Sequence, residues 1–127
     1  MQEYNKVKVS YNGDKRWYQN GELHRLDGPA VEYADGDKRW FQNGMRHRLD
    51  GPAIEHANGD KSWYQNDKLH RLDGPASEYA SGNKFWYIDG EQLTEEEFNA
   101  RNKVEVTLED IAEAMNIDVD KLCIKEH

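Results

Sequence analysis

Three histidines, His24, His47 and His70, recur 23 residues apart, each followed by an arginine (Arg25, Arg48, Arg71) and, two residues further on, an aspartate (Asp27, Asp50, Asp73). Imidazole, guanidinium and carboxylate are the groups that bind metals, grip anions and move protons. Metal binding fails on spacing. Ligands of one zinc each lie about 2.0–2.1 Å from it, whereas equivalent positions of a unit that adds two β-strands recur about every 10 Å. The imidazoles cannot share an ion, and Asp27 is the only recurring additional ligand nearby, so no metal or other cofactor is expected. Anion binding fits better: a rigid row of Arg and His beside aromatic side chains can grip carboxylates or phosphates. The structural alternative is an Arg–Asp ion-pair ladder with the histidine hydrogen-bonded in a turn.

Covalent chemistry has less to work with. Ser10, Ser62, Ser77 and Ser81 are scattered and none has a repeated base beside it, so the nucleophile–base requirement is unmet and catalysis is not expected. The glycines are isolated turn positions rather than a phosphate-binding loop between strand and helix. Cys123 is the single cysteine; it reads as a structural thiol in an apolar strand, and a chain without an internal disulfide suits a reducing compartment.

These residues belong to a repeat. A shift of 23 residues aligns Trp17, Trp40, Trp63 and Trp86 in one column and Gly13, Gly36, Gly59 and Gly82 in another, and HRLDGPA recurs unchanged at His24–Ala30, His47–Ala53 and His70–Ala76. Self-similarity of this kind marks an array of identical supersecondary units. Lys15–Gln19 is aromatic-rich like a strand, and residues 30–33 form a second candidate. The expectation is two strands per unit, joined at one end by the tight turns Asp35-Gly36, Asn58-Gly59 and Ser81-Gly82, and at the other by Asn20-Gly21 and the Leu26–Pro29 corner. Because strand neighbours point to opposite faces, one face should carry the Trp column and the other Tyr18, Phe41, Tyr64 and Tyr87. Lys6–Tyr11 reads as a half-unit N-terminal cap. After Asp89-Gly90 the repeat stops, and Thr94 with Glu97 is a capping-box signature for a helix.

An aromatic followed by Asn-Gly, a His two residues later, then Asp-Gly, another aromatic and Asp/Asn-Gly, all within 23 residues, resembles a divergent MORN repeat over residues 13–90. The resemblance implies an elongated antiparallel sheet of tandem β-hairpins acting as a scaffold for proteins and, in some members, lipids. HRLDGPA stands where that family commonly shows His-Gly-x-Gly, which weakens the transfer of lipid binding. The HRLDGPA variant with an acidic tail is also similar to small bacteriophage proteins.

The expected organisation is therefore mainly β: a capping strand at 1–12, the repeats at 13–90, and an acidic α+β cap at 91–127. In the cap, Val104–Val106 reads as a strand, Leu108–Met115 as an amphipathic helix and Ile117–Ile124 as a returning turn and strand. Charge separates the parts. Residues 1–90 hold 14 acids and 13 bases, residues 91–127 hold 11 acids and 4 bases, and the total is −8. Glu109, Asp110 and Glu113 would repel nucleic-acid phosphates and would steer a basic protein. No basic-then-apolar leader and no membrane-length apolar run occur, so a cytoplasmic protein that does not engage membranes is expected. The leading expectation for function is a non-catalytic scaffold binding another protein through the Trp column, the His/Arg row or the acidic tail, the target being a host defence protein if the bacteriophage likeness holds. The alternative is a small-ligand or nucleotide sponge using the His/Arg row. Edge strands would also permit homodimer formation.

Overall fold

The protein is seen in a computed structural model that describes residues 6–101. The expected elements at Val104–Val106, Leu108–Met115 and Ile117–Ile124 lie outside the described residues. The chain divides into two compact units, Met1–Gln92 and Leu93–His127.

The described residues up to Leu93 form antiparallel β structure. The cap forms β1 (Lys6–Val9), and the first repeat forms β2 (Lys15–Gln19), β3 (Glu22–Leu23) and β4 (Val31–Glu32). The second repeat gives β5 (Lys38–Arg39), β6 (Phe41–Gln42), β7 (Met45–Arg46) and β8 (Ile54–Glu55), and the third gives β9 (Lys61–Ser62), β10 (Tyr64–Gln65), β11 (Lys68–Leu69) and β12 (Ser77–Glu78). β13 (Lys84–Ile88) and β14 (Glu91–Leu93) follow. A ten-stranded sheet runs β1-β2-β4-β5-β8-β9-β12-β13-β14, with β3 attached to β2, while β6-β7 and β10-β11 form hairpins.

The expectation of two strands per repeat is thus corrected: the first repeat has three, the second and third have four because the long strand is interrupted at Trp40 and Trp63, and the tryptophan is where the chain forks. Trp17 donates its N–H to the Ala30 carbonyl at 2.9 Å, and its own carbonyl accepts the His24 N–H at 2.9 Å. The leading half of each long strand therefore pairs with the second strand candidate, and the trailing half pairs with a short extra strand. Trp40 repeats the fork with Ala53 and His47, and Trp63 with Ala76 and His70. Hairpins of successive repeats are joined in turn, Gly44 N–H donating to Leu23 C=O at 2.9 Å and Asp67 N–H to Arg46 C=O at 2.9 Å.

The turns at the two ends of a repeat have different geometry. At Asn20-Gly21 both residues have positive φ, 52° and 78°, the type I′ geometry that suits two-residue hairpins. At the Gly36 end only the glycine is left-handed, with φ 103°. There Gly36 N–H meets Tyr33 C=O at 3.0 Å and Tyr33 N–H meets Asp37 C=O at 2.9 Å, which is a type I turn closed by a glycine bulge. The aspartate after each such turn reaches the next repeat: Asp14 accepts the Ala34 N–H at 2.8 Å, Asp37 that of Ala57 at 2.6 Å and Asp60 that of Ala80 at 2.8 Å.

Register is held by charge on one face of the main sheet. Lys15, Glu32, Lys38, Glu55, Lys61, Glu78 and Lys84 stand opposite one another strand after strand. Opposite charges directly across an antiparallel pair favour that pairing, and a one-residue slip would invert every side chain. The alternate positions of the same strands carry Arg16, Val31, Arg39, Ile54, Ser62 and Ser77 opposite one another. The core is thin: Ala30, Ala53 and Ala76 are fully buried at the forks and Val31 is 2% exposed. An array this thin depends on contacts between neighbouring repeats.

In the second unit, a helix begins at residue 95. The capping box is formed, Thr94 N–H donating to Glu97 Oε1 at 2.8 Å and Glu97 N–H to Thr94 Oγ1 at 3.1 Å. No helix among the described residues is long and apolar enough to cross a membrane.

Candidate functional site

The HRLDGPA block connects the short extra strand to the next main-sheet strand and lies beside the Trp fork. Its histidine couples repeats. His24 Nδ1 accepts the Asn43 N–H at 2.9 Å, His47 Nδ1 that of Asn66 at 3.0 Å, and His70 Nδ1 that of Asp89 at 3.0 Å. Each acceptor serves the first left-handed residue of the following type I′ turn, and it requires the ring proton on Nε2. His24 is 6% exposed. His24→Phe, which leaves the Asn43 N–H without its acceptor, is expected to cost about 1–2 kcal/mol in chemical denaturation. An unchanged midpoint would show that the bond contributes nothing.

The arginines are engaged with equal regularity. Arg48 stacks on Trp40 with its guanidinium carbon 3.8 Å from the ring centroid. Its Nε donates to Asp50 at 2.9 Å, and Nη1 donates to the Pro52 carbonyl at 3.0 Å and to Glu55 at 2.9 Å. Arg25 repeats the set with Trp17, Asp27, Pro29 and Glu32, and Arg71 with Trp63, Asp73, Pro75 and Glu78. A Cβ at Gly51 would sit 2.9 Å from the Arg48 guanidinium carbon, so a larger residue there would push the guanidinium off its place. Trp86 is half-buried, and Thr94 occupies the position where the repeat would supply a stacking arginine.

Electrostatics follow the geometry. Partial burial works against the Arg25 charge, but hydrogen bonding and attraction from Asp27 and Glu32 outweigh it and raise its pKa. The Arg48 hydrogen bond holds the Asp50 carboxyl below the usual range, and Arg46, 2.6 Å away, does the same for Asp67. Asp37 is lowered first by the Ala57 N–H and then by His56. Carboxylates held down in the fold stabilise it above the unfolded-chain value of about 4, and that contribution is lost as pH falls through the depressed values. Asp67→Asn should therefore lose less in melting temperature than the parent chain between about pH 6 and pH 3. Equal losses would exclude the Arg46–Asp67 pair as a source of acid sensitivity.

What remains for recognition is the rim. Leu26, Leu49 and Leu72 are 56%, 74% and 57% exposed. They project with the aspartates and separate two equivalent grooves. One, of about 550 Å³, lies between the Leu26–Asp27 and Leu49–Asp50 corners and is lined by Trp40 and His47. The other, of about 420 Å³, lies between the Leu49–Asp50 and Leu72–Asp73 corners and is lined by Trp63 and His70. The Trp, Arg and His columns singled out from the sequence thus converge on these grooves for the two central repeats. The leucines were missed because a lone leucine in a turn reads as core. Their signal was available: the same apolar residue stands three times in a Gly-Pro corner, outside any strand periodicity.

Glu109, Asp110 and Glu113 lie outside the described residues. Among the described residues no group of three or more His, Cys, Asp or Glu side chains could hold a metal ion. Compared with known proteins, the chain matches no family model, no curated protein and no solved structure.

Proposed function

We propose that this chain is a non-catalytic, MORN-like repeat scaffold that binds another protein and that, following the bacteriophage resemblance, acts in the host cytoplasm as an inhibitor of an immune factor. One observation carries the binding role: the leucines of the repeated heptapeptide stay largely exposed along Trp-lined grooves while its arginines and histidines are engaged within the fold. Apolar anchors beside aromatic pockets are typical of protein interfaces. The nucleotide-sponge reading asks more of the His/Arg row, because each guanidinium already serves two carboxylates and a carbonyl and each Nδ1 already accepts a backbone N–H.

Quantitative capture from a bacterial lysate tests the reading with three full-length baits. The parent chain should retain a protein that Leu26→Ser/Leu49→Ser/Leu72→Ser loses. Loss instead with Glu109→Lys/Asp110→Lys/Glu113→Lys would assign binding to the acidic tail. Recovery of nothing by any bait, together with a rise in melting temperature on adding nucleotides, would replace protein binding with the small-ligand reading. Homodimer formation through the exposed edge strand Lys6–Val9 would appear as doubled mass in light scattering.

A further inference from the structure

The ion pairs beside the grooves are asymmetric in what they show to solvent. The Arg25, Arg48 and Arg71 side chains are 19%, 21% and 22% exposed, whereas Asp27, Asp50 and Asp73 are 72%, 86% and 85% exposed. Each guanidinium is turned inward onto an indole, so an approaching molecule meets carboxylate and leucine at the rim and Trp and Gln within. Gln42 lines the first groove and Gln65 the second. The complement of such a surface is apolar and basic.

The spacing narrows the backbone form. The two grooves share the Arg48–Asp50 corner as a common wall, so they recur at the repeat pitch, about 9.6 Å for two strands about 4.8 Å apart. A polyproline II helix has three residues per turn and rises about 3.1 Å per residue, or about 9.3 Å per turn. Every third side chain of such a segment would arrive at the next groove with little mismatch. An α-helix has a pitch of about 5.4 Å and meets the same row only on every second turn, with a drift of about 1 Å each time. Polyproline II segments are also preorganised, and they dock between aromatic ridges because a proline ring lies flat on an indole.

We propose that the grooves at Trp40 and Trp63 form a docking track for a basic, proline-rich segment of the protein partner in the polyproline II conformation, one turn per repeat. Apolar rings enter the grooves between Leu26, Leu49 and Leu72, and cationic side chains meet Asp27, Asp50 and Asp73. This rests on the protein-binding reading above and specifies the partner segment.

The test uses the full chain and synthetic peptides, followed by Trp fluorescence and calorimetry. A peptide of Pro-Pro-Arg repeated about four times should bind about tenfold or more tightly than Gly-Gly-Arg of the same length, which has the charge without the helix, and than Pro-Pro-Glu, which has the helix with the opposite charge. Leu26→Ser/Leu49→Ser/Leu72→Ser should weaken Pro-Pro-Arg binding about tenfold or more. Asp50→Asn should weaken it less and flatten its salt dependence. Equal affinity for Pro-Pro-Arg and Gly-Gly-Arg would overturn the proposal by reducing the track to bulk charge, as would no detectable binding of Pro-Pro-Arg. If Pro-Pro-Arg fails while the leucine variant still loses the lysate protein, the partner segment has another form and the protein-binding reading stands. If the leucine variant retains the lysate protein, the groove face is not where that protein binds.

Discussion

Replacing Arg48 by alanine is expected to destabilise the repeat array by about 2–3 kcal/mol, combining one stacked cation–π contact with the net value of its charge-assisted hydrogen bonds. For a unit of this size that lowers the melting temperature by roughly 10–20 °C. Arg48 touches Trp40, Asp50, Pro52 and Glu55 together, so its removal leaves two carboxylates near a half-buried corner and a Pro52 carbonyl without its donor. Arg48→Lys should recover less than half of the loss, since an ammonium on a flexible stem cannot stack and fork simultaneously. Full rescue by lysine would mean that charge alone matters.

The second large effect belongs to the smallest side chain at the fork. Ala53 is fully buried, accepts the Trp40 N–H through its carbonyl at 2.8 Å and donates to the Ser62 carbonyl at 2.8 Å. Both sides of its backbone are fixed, so a larger side chain cannot be accommodated by moving the strand without breaking the fork. Ala53→Leu is expected to cost about 3 kcal/mol, at the upper end for overpacking. Urea denaturation of the variant measures this. A cost below about 0.5 kcal/mol, the range of ordinary surface changes, would show open space where the account places close packing.

Some of this was legible in the residues and some was not. Lys15–Gln19 reads as a strand from its aromatic residues, and β2 spans that segment. The Thr94–Glu97 capping box is likewise a local signal. The short extra strand escaped notice because Glu22–Leu23, Met45–Arg46 and Lys68–Leu69 are two residues long and share no strand-like composition. It exists because the Asn-Gly turn folds the chain back, not because its residues prefer to be extended. The Arg–Asp ladder could be read within one heptapeptide, but the stacking on Trp could not, since the partner ring comes from eight residues earlier. The histidine's role was similarly hidden: its N–H partner lies 19 residues downstream, in the next repeat. The exposed leucines could not be recognised from hydrophobicity, which says only that burial would be favourable and not that the fold provides it.

HRLDGPA divides its residues between roles: the arginine and histidine secure the fold, while the leucine is largely exposed. The melting temperature of Leu26→Ser/Leu49→Ser/Leu72→Ser tests this division most directly. A fall of no more than about 5 °C is predicted, as for three exposed substitutions. A fall of about 15 °C or more, comparable to that expected for Arg48→Ala alone, would place the leucines in the core and contradict the account.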